Sequence, residues 1–169
     1  PGSFQPVGDR LFFLARDPIE GGDLWVSDGT GPGTDRVVDL RPGPDSFSYG
    51  ASADLGGVLL FGPNWPLSGL WRSDGTPAGT YSISPVEPWQ NSWPQGAPFL
   101  VFGDRLLFWG RAPSAPDATL WVSDGTPTGT TELLPQAAPW NFARCGDAVY
   151  FSAGYFPRLL YRTQGTPET

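Results

Sequence analysis

One seven-residue phrase returns along this chain at nearly even intervals, and it limits what the chain can fold into. Leu24-Trp25-Val26-Ser27-Asp28-Gly29-Thr30 is followed by Gly33-Thr34, Leu70-Trp71-Arg72-Ser73-Asp74-Gly75-Thr76 by Gly79-Thr80, and Leu120-Trp121-Val122-Ser123-Asp124-Gly125-Thr126 by Gly129-Thr130. A worn copy, Leu160-Tyr161-Arg162-Thr163-Gln164-Gly165-Thr166, stands near the end. Asp28, Asp74, Asp124 and Gln164 are spaced by 46, 50 and 40 residues. A chain that repeats at this period builds one small unit several times, and each unit buries its apolar surface on its neighbours.

Every unit contains the same succession of short apolar runs, A to D. In the first they lie at 3–7, 10–15, 23–27 and 34–40, with Gly8-Asp9 turning A into B. The B runs are Arg10-Leu11-Phe12-Phe13-Leu14-Ala15, Val58-Leu59-Leu60-Phe61, Arg105-Leu106-Leu107-Phe108-Trp109 and Ala148-Val149-Tyr150-Phe151. These are too short for helices and rich in aromatic and branched residues, so they predict buried strands. Prolines interrupt every window in which a helical period could develop. The chain has 23 glycines and 20 prolines, a content that would suggest disorder if it were aperiodic. Here they recur between the apolar runs and predict turns.

Four short strands per unit, joined as a meander, leave each small sheet with two faces to cover. Radial stacking covers both, so the expected fold is an all-β propeller of four-stranded antiparallel blades. The repeats fall at about 1–42, 43–88, 89–138 and 139–169, the last lacking its run D. A two-sheet sandwich is the alternative. The chain begins at Pro1 and has no methionine, which suggests an internal or processed piece of a longer chain. Further repeats, or a strand from another chain, are then expected to complete the ring.

The phrase Leu-Trp-x-Ser-Asp-Gly-Thr with its trailing Gly-Thr resembles the bacterial ELWxxDGT repeat family. The likeness spans the chain, with three strong copies and one degenerate. The family's leading Glu is replaced by Asp23, Gly69, Thr119 and Leu159. The resemblance implies a propeller-type architecture and an exported protein, located outside the cell, at its surface or in the periplasm. It implies no reaction. A weaker likeness to the Asp-box of sialidase propellers points the same way, since that box lies away from the active site.

The repeated Asp28, Asp74 and Asp124 are the first residues to test for chemistry, because carboxylates bind Ca²⁺. Each copy offers one carboxylate where a calcium loop needs several ligand oxygens. The better reading is a turn: Asp and Ser accept backbone N–H bonds, and Gly29, Gly75 and Gly125 take a positive φ. Trp25, Trp71, Trp121 and Tyr161 share one position in run C and are expected to wedge between neighbouring blades. Cys145 is expected to be a small apolar filler.

Composition removes most catalytic classes. Without His there is no Ser-His-Asp triad, and without Lys no Schiff base or P-loop lysine. No cofactor or metal is implied. Ten arginines against 17 acidic residues give a net charge of -7, which argues against nucleic acid as a partner. No apolar run is long enough to insert into a membrane as a helix. Loop carboxylates at Asp17, Glu20, Asp45, Glu87 and Asp117 leave a glycan-active enzyme as a third reading.

The two sets of loops differ. The A-to-B and C-to-D turns are constant, whereas the B-to-C and D-to-A connections vary and carry Trp65, Trp89, Trp93, Trp140, Phe47, Tyr49, Tyr155 and Phe156. Aromatic residues on variable loops over a constant frame suit recognition. The leading expectation is therefore a non-catalytic scaffold that binds a protein partner or further repeats. A lectin-like propeller using Trp65, Trp89, Trp93, Trp140 and Tyr49 is the alternative.

Overall fold

The structure, a computed structural model, describes residues 2–17, 21–43, 45–46, 48–89, 99–135, 139–154 and 159–165. These residues form strands and turns, with no helix among them. The first sheet is a meander of β1 (Gly2–Val7), β2 (Arg10–Asp17), β3 (Gly21–Ser27) and β4 (Thr34–Val38). The second repeats it with β5 (Tyr49–Leu55), β6 (Val58–Pro63), β7 (Leu70–Ser73) and β8 (Tyr81–Ser84). A short β9 (Glu87–Pro88) joins the third sheet, formed by β10 (Phe99–Phe102), β11 (Arg105–Arg111), β12 (Thr119–Ser123) and β13 (Thr131–Leu134). The fourth has three strands, β14 (Pro139–Cys145), β15 (Ala148–Ala153) and β16 (Leu159–Thr163).

The register makes the repeats superimposable. Phe13 lies opposite Trp25, Phe61 opposite Trp71, Phe108 opposite Trp121, and Phe151 opposite Tyr161. Because side chains alternate across a strand, each ring pair occupies one face of its sheet and the adjoining Leu of the repeated phrase points to the other. Leu70 packs toward the third sheet, with Phe99, Leu106 and Phe108. Trp71 packs toward the first, with Phe12, Leu24 and Val37. Leu120 and Trp121 follow the same rule one sheet later, Leu120 toward the fourth sheet and Trp121 toward the second. Each junction is thus an aromatic face laid on the leucine face of the sheet before it.

The leucine of the phrase is fully buried, Leu24, Leu70 and Leu120 each being 0% exposed. The tryptophans are only half-buried. Their polar edges stay near the loops, where the Trp71 indole N–H donates to Ser68 O at 2.8 Å and that of Trp121 to Thr119 Oγ1 at 2.9 Å. Trp71, Trp121 and Tyr161 pack at sheet junctions. Trp25 stacks on Phe13 of its own sheet, on the face turned away from the second sheet. Among the described residues no sheet lies against that face.

The first strands of neighbouring sheets, β1, β5 and β10, lie beside one another. Side chains tie β1 to β5: the Tyr49 hydroxyl donates to Ser3 O at 2.6 Å and Ser52 Oγ to Gln5 Oε1 at 2.9 Å. Tyr49 therefore corrects an expectation. It opens β5 and is buried against Phe61, so it belongs to the core and not to an exposed connection. Burial pushes its phenol pKa up to about 12, because the phenolate would be poorly solvated there.

A bulge interrupts β1 between Gly2 and Gln5, β5 between Tyr49 and Ala51, and β14 between Trp140 and Phe142. In the third sheet β9 and β10 share the same edge of β11. The boundary between the second and third sheets thus falls before Glu87, not after Pro88. Trp140 stands in β14, paired with Ser152, where a connection was expected. Cys145, expected as core filler, is exposed at the end of β14.

Since Leu70 is sealed between two sheets, Leu70→Ala is expected to lower unfolding free energy by about 2–5 kcal/mol in a urea titration. Thr131→Ala, on the exposed start of β13, should stay within about 1 kcal/mol.

Candidate functional site

The repeated turn is a closed set of hydrogen bonds, built identically three times. In the second copy Asp74 Oδ1 accepts from the Thr76 backbone N–H at 2.9 Å and from its hydroxyl at 2.7 Å. Thr76 Oγ1 accepts from Gly79 N–H at 3.0 Å, and Thr76 O accepts from the Thr80 hydroxyl at 2.7 Å. Ser73 Oγ accepts from Gly75 N–H at 3.1 Å and lies 2.7 Å from Thr80 Oγ1. The copies at Asp28 and Asp124 match, each aspartate accepting from its Thr two residues on. These bonds favour the ionised form and hold all three carboxyls below the usual aspartate range.

Glycine has two roles in the turn. Gly29, Gly75 and Gly125 adopt φ of 92°, 90° and 84°, as expected. The later Gly33, Gly79 and Gly129 have another reason, which the pattern alone did not reveal. A Cβ at any of them would fall on the carboxylate of Asp28, Asp74 or Asp124. The trailing glycine is the space in which the aspartate sits.

Arginines fasten this turn to the preceding sheet. Arg10 donates to Asp74 O at 2.7 Å and to Gly57 O at 3.4 Å, and Arg72 donates to Gly125 O at 3.4 Å. Gly8 N–H donates to Asp54 Oδ2 at 2.9 Å across the same junction. The polar groups of this rim are largely used within the fold. Among the described residues no three Asp, Glu or Cys groups cluster as metal ligands.

The opposite rim is open. A cleft of about 460 Å³ lies between the second and third sheets, bounded by the loop after β6 and by β9 with the end of β11. Trp65 contributes from the loop and is 87% exposed. Half-buried Trp89 follows β9 and is anchored by its N–H donating to Trp109 O at 2.7 Å. Between these elements Arg111 pairs with Glu87 at 3.0 Å, both side chains 47% exposed. The loop is tied to the preceding connection, Asn64 N–H donating to Ser48 O at 2.8 Å.

The cleft brings together Trp65 and Trp89, two of the five proposed recognition residues. Tyr49 lies in the core instead. Trp140 is in a strand, its side chain outside the described set, and Trp93, Phe47, Tyr155 and Phe156 lie outside the described residues. Glu87, one of the loop carboxylates considered above, lines the cleft with Arg111, which sequence reasoning did not single out. Of the carboxylates considered for catalysis with a described side chain, Glu87 lines the cleft, paired with Arg111, while Asp45 pairs with Arg41 at 2.8 Å and neither Asp45 nor Asp117 is in the lining; the side chains of Asp17 and Glu20 lie outside the described set.

No protein-family model matches the chain, and no curated relative was found for it. A solved structure shares the fold. The chain is similar to a puromycin hydrolase S511A mutant complexed with PGG, at 16% identity and a TM-score of 0.57. The likeness covers 92% of this chain and 25% of the hydrolase chain. At that identity it carries the arrangement of sheets and nothing about chemistry.

The turn bonds predict an acid dependence. Their stabilisation is fully present above the pKa of an unfolded aspartate, near ~3.9, and is lost as pH falls through the lower folded-state values. Thermal melts from neutral pH to about pH 2.5 should show stability falling below about pH 4. The slope should be shallower when Asp28, Asp74 and Asp124 are all changed to Asn. At neutral pH Asp74→Ala should cost about 1–2 kcal/mol, and Gly79→Ala at least as much.

Proposed function

We propose that this chain is a β-propeller segment with a non-catalytic role, a scaffold that presents its variable loop rim to a protein partner in an exported bacterial protein. The observation that carries this reading is the contrast between the rims. One is consumed by its own hydrogen bonds and by arginines from the preceding sheet, while the other opens a cleft between Trp65 and Trp89. The meander order, the face-to-face stacking and the adjacent first strands support radial blades. The resemblance of the repeated phrase to ELWxxDGT repeats supports export.

The partner reading is tested by fractionating the producing cells, cross-linking the protein in place and identifying what is attached. A partner held by the native protein should be lost in Trp65→Ala, whose side chain is already exposed and whose removal leaves the core untouched. A partner retained equally by Trp65→Ala and Arg111→Ala would place recognition elsewhere.

The cleft also favours a second reading, a saccharide site. Indole faces suit the C–H surface of a sugar ring, and an exposed guanidinium–carboxylate pair offers donors and acceptors to its hydroxyls. Tryptophan quenching by an oligosaccharide chosen from a glycan array should saturate with a Kd in the millimolar range or tighter, roughly -4 kcal/mol. It should vanish in Trp89→Ala, and an array without any response removes this reading.

A further inference from the structure

An aspartate followed by glycine is the step at which a polypeptide most readily rearranges, because glycine has no Cβ to shield its amide nitrogen from the neighbouring carboxyl. The chain has three such steps, Asp28-Gly29, Asp74-Gly75 and Asp124-Gly125, and no Asn-Gly step. Each stands at the centre of a copy of the repeated turn. The worn copy carries Gln164 before Gly165 instead.

The rearrangement proceeds through a ring. The glycine nitrogen attacks Cγ of the aspartate: an N–Cγ bond forms, a Cγ–O bond breaks, and the carboxyl OH leaves with the amide hydrogen as water. Water then opens the resulting succinimide. Attack at Cγ restores aspartate, whereas attack at the main-chain carbonyl carbon leaves the chain running through Cβ and Cγ, an isoaspartate of unchanged mass. Ring closure needs a neutral carboxyl, an amide nitrogen free of other bonds, and a side chain able to swing Cγ onto that nitrogen.

The folded turn withholds all of these. Oδ1 of Asp28, Asp74 and Asp124 accepts from the backbone N–H and the hydroxyl of the threonine two residues on, at distances between 2.7 and 2.9 Å. These bonds hold the carboxyls ionised to lower pH than usual. The amide nitrogens of Gly29, Gly75 and Gly125 are engaged, donating to Ser27, Ser73 and Ser123 Oγ at 3.0, 3.1 and 3.1 Å. The carboxylate fills the space left by Gly33, Gly79 or Gly129, which fixes its orientation.

We propose that Asp28, Asp74 and Asp124 are isomerisation sites gated by the fold, closed while the turn keeps its hydrogen bonds and converted to isoaspartate when it opens. Conversion at each site then follows the fraction of time that its own turn is open. The added main-chain carbon and the displaced carboxylate do not remake the bonds to Thr30, Thr76 or Thr126, so a hairpin that has reacted does not close as before. Nothing in this gating depends on what the opposite rim binds.

The test holds the 169-residue chain at about pH 5, where the carboxyl of an unfolded aspartate is partly neutral, either folded or in guanidinium chloride. Isoaspartate is measured site by site by mass spectrometry with electron-transfer fragmentation, which separates the isomers. Cleavage at arginine places the sites on different peptides, 17–36, 73–105 and 112–144. Conversion in the folded chain is expected to be at least about tenfold slower at every site. Thr76→Val, on an exposed side chain, removes the hydroxyl bond to Asp74 and the acceptor of the Gly79 N–H. It should raise conversion at Asp74 severalfold and leave Asp28 and Asp124 unchanged, and Thr76→Ser should restore protection. Asp28 and Asp124 report global unfolding in the same sample.

Equal rates in the folded and denatured chain overturn the proposal. So does a Thr76→Val chain in which Asp74 converts no faster, or in which all three sites speed up together, since protection would then come from global stability and not from the bonds of each turn.

Discussion

Each sheet of this protein is apolar on both faces, and the structure depends on laying the aromatic face of one sheet on the leucine face of the sheet before it. A strand such as Arg105–Arg111 buries Leu106 and Phe108 toward one neighbour and Leu107 and Trp109 toward the other. A four-stranded sheet of this kind cannot stand alone in water, because covering one face leaves the other exposed. Repetition is the physical solution: every sheet added covers one face and presents another. The faces between sheets are accordingly buried, and among the described residues the exposed large apolar side chains are Phe4 in the first sheet, Tyr81 at the start of β8, Leu159 and Leu160 in the fourth sheet, and Trp65 on the loop rim.

The turn phrase serves this stacking. Strand ends leave backbone N–H and C=O groups that must be satisfied close to a dry junction. The aspartate, three hydroxyls and two glycines satisfy them locally, and arginines bring the remaining carbonyls into contact with the preceding sheet. Because the polar groups of this rim are already hydrogen-bonded within the fold, it has few donors and acceptors left for a ligand. The connections at the other rim do not repeat this phrase, and their length and composition differ between units. That freedom is where Trp65, Trp89 and the Glu87–Arg111 pair arise.

Much of the fold was legible because its causes are local. Runs B and C were read correctly since continuous apolar character has few outcomes in segments of this length. The phrase marked its turn because Asp, Gly and Thr act within a few residues of one another. Less legible was anything set by the neighbouring sheet. Tyr49 resembles the loop aromatics around it in sequence, yet the bulge in β5 and the carbonyl of Ser3 draw it inward. Trp25 is indistinguishable from Trp71 and Trp121 by position in the phrase, yet only the other two have a described sheet in front of them. Cys145 ends its strand on the exposed side, a matter of register that composition cannot express. The division of the third sheet's first strand into β9 and β10 was hidden for the same reason.

The sequence alone determined the repeat, its period, the all-β character and the chemistry of the turn, since each of these follows from residues close together in the chain. The tertiary structure decided which face of each sheet meets which neighbour, which aromatic residues are core and which are surface, and that Trp65 and Trp89 share a cleft. Those outcomes depend on contacts between residues far apart in sequence, and solvent exposure is a property of the stacked sheets, not of any one strand.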